Sequence, residues 1–100
     1  MKFSPAQQRS FREVRSMAVH QKRNLDRDRI FYVGKRCAQN LVRANLAKYI
    51  MHGDEKADHG VYEWGKLVQI KAIVELSSLA VNLIQEYKNS KVILAHSVQE

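Results

Sequence analysis

Apolar and polar positions along this chain recur mainly with the period of a helix. The run Ser4-Pro5-Ala6-Gln7 reads as a capping box: a serine N-cap, a proline at the first helical position and a glutamine at N3 that can reach back to the cap. At about 100° per residue, Ala6, Phe11, Val14, Met17 and Ala18 gather on one face, and Arg9, Arg12, Arg15, Lys22 and Arg23 on the other. This pattern predicts a first helix from Ser4 to about Arg23.

A second helix is predicted from Asp26 to about His52, with Leu25 and Ile30 as a hydrophobic staple and Gly53 just past the end. Its apolar face is Ile30, Val33, Gly34, Cys37, Ala38, Leu41 and Ala44. Arg29, Arg36 and Arg43 recur every seventh position, which on one continuous helix stacks them along an edge at intervals of about 10.5 Å. The glycine-bounded, charged stretch 53–60 reads as a loop. A third helix is predicted over about 61–88. There Val61, Gly65, Val68, Ala72, Leu76, Leu79, Leu83 and Tyr87 form a stripe that Leu67, Ile70, Val74, Val81 and Ile84 widen to most of the circumference. Residues 91–100 suit either a short strand or a further helical turn.

The expectation is therefore an all-α single domain over residues 1–100: an amphipathic N-terminal helix plus a long antiparallel hairpin. The apolar excess of the third helix predicts completion of a helical bundle by homodimerisation, with a compact three-helix monomer as the alternative. Four glycines and one proline agree with a few long helices. Gly34 and Gly65, inside helical patterns, read as points of close helix–helix approach.

Composition narrows the setting. The longest uncharged run, Leu76 to Gln85, is far shorter than a membrane span requires, and no apolar stretch follows the N-terminus as in a secretory signal. The Arg-rich first residues overlap in character with a mitochondrial presequence, but the capping box favours a structural helix. Cys37 is the only cysteine, which rules out an internal disulfide framework and fits a reducing compartment, with cytoplasm as the default expectation.

Charge changes the picture most. The net charge is +7, and residues 1–50 carry twelve Lys/Arg against three acids, whereas 51–100 carry five against seven. All eight arginines lie in the first half. Such asymmetry concerns partners rather than fold. The guanidinium fork matches phosphate oxygens and does not titrate, so Arg9, Arg12, Arg15, Lys22, Arg23, Arg29, Arg36 and Arg43 are the candidate nucleic-acid contacts, directed mostly at phosphates. The expected function is that of a small accessory or regulatory nucleic-acid-binding protein of the kind carried by phages or plasmids. The alternative is an adaptor or inhibitor that docks the basic face on an acidic protein.

Other constellations are weaker. Arg15-Ser16-Met17-Ala18-Val19-His20 matches the short Arg-x4-His signature of HEPN-type helical ribonucleases, a third reading, although in a chain with eight arginines and four histidines so short a match is weak evidence. His52 to His59 gathers two histidines and three carboxylates, donors suited to zinc, without a recognised ligand spacing. Cys37 sits on an apolar face and reads as core. Trp64 and Tyr62 could anchor a partner or plug the end of a bundle. His20 carries no supporting context. No catalytic constellation, cofactor or metal site is expected.

Overall fold

The computed structural model describes residues 2–52, 61–63, 66–69 and 71–99. Its elements are α1 (Pro5–His20), β1 (Ile30–Gly34), α2 (Lys35–Arg43), β2 (Ala47–Met51), β3 (Val61–Glu63), β4 (Lys66–Gln69), β5 (Lys71–Leu76) and α3 (Ser78–Gln99). The fold is α+β, which overturns the all-α expectation and the helical bundle with it.

The first helix follows its local signals. Ser4 accepts from the amide of Gln7 at 3.1 Å while the Gln7 side chain accepts from the amide of Ser4 at 2.9 Å, the reciprocal pairing of a capping box. Val14 and Ala18 are fully buried, with Phe11 and Met17 packed against the same core. The helix stops three residues earlier than predicted, in a Schellman motif: Lys22 N–H donates to Val19 O and Arg23 N–H to Ala18 O. Lys22 occupies the left-handed position usually given to glycine, at φ 54°. α2 ends in the same motif, with Asn45 at φ 60° and bonds from Asn45 to Val42 and from Leu46 to Leu41.

The predicted second helix is three elements. Asn24, not Asp26, organises its start, accepting from Asp26 through Oδ1 and from Arg27 and Asp28 through its carbonyl, which makes one turn and no helix. Ile30-Phe31-Tyr32-Val33 is a β-branched and aromatic run whose burial alternates, Phe31 and Val33 inward and Ile30 and Tyr32 outward, so it satisfies a strand as well as a helical stripe. Gly34 marks no close approach. It is the N-cap of α2 in extended conformation, and a Cβ added there would meet nothing within 4 Å. Only Cys37, Ala38 and Leu41 lie on a true helix face, and they are buried. Arg29 precedes β1, so the seven-residue arginine ladder reduces to Arg36 and Arg43 on α2.

The predicted third helix divides in the same way. Its first part holds the β3–β4 hairpin and β5, and α3 begins only at Ser78. Ser77 caps it, accepting from Ala80 N–H and donating to Asn45 O. β5 is the centre of a three-stranded antiparallel sheet ordered β1-β5-β2, with Phe31 opposite Val74, Val33 opposite Ala72 and Ala47 opposite Leu76. A central strand needs apolar residues along most of its length, and that need is what mimicked a helix apolar all round. The premise of the dimeric bundle disappears with that helix. Gly65 and Trp64 lie outside the described residues, as does the loop stretch 53–60.

β1 and β2 run parallel to one another with β5 inserted between them, and α2 carries the chain from one to the other. The core unites Val14 and Ala18 of α1, Ala38 and Leu41 of α2, the inward residues of the sheet, and Ala80, Val81 and Ile84 of α3. On the opposite face Tyr32, Ile73 and Met51 stand in one cross-strand row, with Tyr32 55% and Met51 42% exposed. No helix among the described residues is long and apolar enough to cross a membrane.

Candidate nucleic-acid interface

The eight basic residues singled out by the sequence fall into distinct settings. Arg9, Arg36 and Arg43 come together. α1 packs across α2 and places Arg9 beside the outward edge of α2, where Arg36 and Arg43 lie two turns apart, and the three line one open groove of about 540 Å³. All three are exposed. None forms an ion pair with a described residue, since the described pairs are Arg23–Asp28 and Lys48–Glu75.

The floor of this groove is polar and fixed. Ser10 is buried; Asn40 Nδ2 donates to its hydroxyl at 3.0 Å, and Cys37 Sγ lies 3.8 Å from its carbonyl. Glu13 is the acid that lines the groove. Burial, followed by the negative charge of Glu13, pushes the Cys37 thiol up from 9.0 to about 11, against the lowering effect of Ser10 and Lys71. It is a neutral core group, as its position predicts, and not a nucleophile.

Arg12 and Arg15 face a different groove, of about 350 Å³, between α1 and α3, together with Ser16, Val19, His20 and Tyr87. The Arg15 guanidinium lies over the Tyr87 ring, 3.8 Å from its centroid. Lys22 is exposed at the end of α1.

Arg23 and Arg29 are committed to the fold. Arg23 pairs with Asp28 at 2.5 Å, donates to the Ile30 carbonyl and to Gln21 Oε1, and sits 4.2 Å from the centre of the Phe31 ring. Because the Ile30 carbonyl belongs to an edge strand, Arg23 also caps a group that would otherwise face outward. Arg29 donates from Nε to Leu25 O at 2.7 Å and from Nη1 to Ser78 Oγ at 3.5 Å, tying the approach to β1 to the start of α3.

Sequence reasoning named His20 only through the Arg15–His20 motif and did not place Tyr87, Asn40 or Ser10 at a site. His20 and Ser16 were visible as helical neighbours of Arg12 and Arg15 on α1. Tyr87 had no local signal, because only the tertiary fold brings it to Arg15. Of the stretch His52 to His59, only His52 is described, stacked on Tyr49 with ring centroids 4.0 Å apart. The described residues hold no group of three potential metal ligands. The α+β fold removes the all-α framework on which the HEPN-type reading of Arg15 and His20 depends. Searches of known protein families, of characterised proteins and of solved structures find nothing that matches this chain.

Proposed function

We propose that this chain is a nucleic-acid-binding protein that holds phosphates along the groove between α1 and α2. One observation carries the reading: Arg9 from one helix and Arg36 and Arg43 from another converge, exposed and without an acidic ion-pair partner among the described residues. Surface charge that served only solubility would have no need to converge in this way. The groove lining is mostly polar, and the exposed amide of Gln39 supplies a further donor for phosphate oxygens. Such contacts position a polymer and carry no base specificity.

The test is anisotropy of labelled nucleic acid across a salt series. Log affinity should fall linearly with log salt. Arg36→Gln with Arg43→Gln should reduce that slope by about two and cost about tenfold or more in affinity at moderate salt, while unfolding stability stays within about 0.5 kcal/mol. Dissociation constants weaker than about 100 μM for every polymer would overturn the reading.

A protein adaptor is the second reading. Tyr32 and Met51, exposed on either side of the buried Ile73 on the outer sheet face, favour it, because exposed aromatic and methionine side chains are common anchors of protein interfaces. In that case an acidic protein meets the arginines.

A further inference from the structure

Resting on the nucleic-acid reading, we infer that the polymer is single-stranded, and that the groove between α1 and α3 receives an unpaired base on the Arg15–Tyr87 pair. The two grooves that flank α1 differ in chemistry. The α1–α2 groove offers three cations, amides and one acid, Glu13, and no aromatic ring. The α1–α3 groove sets the cations Arg12 and Arg15 and the imidazole of His20 beside the exposed apolar side chain of Val19 and the ring of Tyr87.

Phosphate alone has no use for Val19 or a tyrosine ring. A nucleotide has use for both halves, since its base stacks on aromatic rings and guanidinium planes while its phosphate pairs with a second cation. Here Arg15 is held 3.8 Å from the centre of the Tyr87 ring, so the stacking surface is formed before any ligand arrives. Bases inside a duplex are already stacked on one another and cannot enter.

The two grooves also connect. Arg9 and Arg12 lie one turn apart and about 60° apart around α1, so positive charge passes over the exposed side of the helix from one groove to the other. A single strand can lay phosphates on Arg36, Arg43 and Arg9, cross α1, and turn a base onto Arg15 and Tyr87. A rigid duplex cannot make that turn within one helix diameter.

The experiment measures anisotropy of the full chain with a fluorescein-labelled oligothymidylate and with a duplex of equal length, at one salt concentration. Wild type should prefer the single strand, and Tyr87→Leu should shrink the preference about tenfold, the size of one lost base stack. Tyr87→Phe, which keeps the ring, should retain the preference. The Arg36→Gln, Arg43→Gln variant should weaken both polymers alike. A preference for duplex, or one that Tyr87→Leu leaves intact, would show that Arg15 and Tyr87 only pack the helices together; the inference then falls and the α1–α2 phosphate site stands. If neither polymer binds, both fall. Should Tyr87→Leu melt well below wild type, photocrosslinking of wild type to a 5-iodouracil oligonucleotide decides: adducts on Tyr87 or His20 support the site, and adducts confined elsewhere overturn it.

Discussion

Arg23 and Arg36 are the same residue type in the same basic half of the chain, and they do opposite work. Arg23 is folded inward: one guanidinium bonds Asp28, Gln21 and the Ile30 carbonyl and lies against Phe31. Arg36 stands exposed on α2 beside Arg9 and Arg43 with no ion pair to a described residue. The first is part of the connection between α1 and β1. The second is charge held ready for something else. Net charge alone therefore overstates the surface offered to a partner, because Arg23 and Arg29 are already spent on the architecture.

The comparison breaks most sharply at Arg23. Arg23→Ala should cost about 2 kcal/mol in denaturant unfolding, chiefly from the lost carbonyl bond and ring contact, since Asp28 is half exposed and its ion pair contributes little. Folded Arg23→Ala protein should keep the wild-type salt slope, whereas the Arg36, Arg43 variant loses slope and keeps stability. If Arg23→Ala lowers the slope without loss of stability, the division of labour drawn here is wrong.

A smaller effect comes from the residue before it. Lys22 holds a left-handed conformation that costs a side-chain-bearing residue about 1 kcal/mol, so Lys22→Gly should raise stability by up to about that amount. Asn45→Gly, at the equivalent point after α2, should gain half of that or less, because asparagine tolerates the conformation. Equal gains at both sites would contradict this account of the two caps.

The smallest expected effect probes the groove floor. If the field of Arg9, Arg36 and Arg43 reached Cys37, its thiol would titrate below 9.0. Burial and Glu13 prevail, and the thiolate absorbance should appear with a midpoint near 11. Because the folded value lies above the unfolded one, the stability this thiol contributes is fully present below pH 9 and is lost as the pH rises towards about 11. Rapid alkylation at pH 8 would count against a buried, protonated thiol.

These contrasts explain what the sequence disclosed and what it did not. α1 was legible because a capping box and a helical stripe are local, and so were the buried positions Cys37, Ala38 and Leu41 of α2. The strands were not. Ile30 and Val33, like Ala72 and Leu76, sit at spacings that suit one helical face, and the alternation within Ile30–Gly34 is too short to outweigh them. The basic half was evident, but its partition was not. Arg23 owes its role to a turn organised by Asn24, and Arg15 owes its role to a ring on the last helix. Partners of that kind are fixed by the fold.

The place of β5 at the centre of the sheet sets an order of events. β1 and β2 have no bonds to one another, and each finds its neighbour only in a strand that leaves the ribosome after both. Until residue 76 has emerged, the nascent chain holds α1, α2, the local β3–β4 hairpin and two strands, β1 and β2, that lack their sheet neighbour. Folding of this small protein is thus governed by distant contacts and completed late, and a translation product that stops short of β5 presents two open edges ready to join other chains.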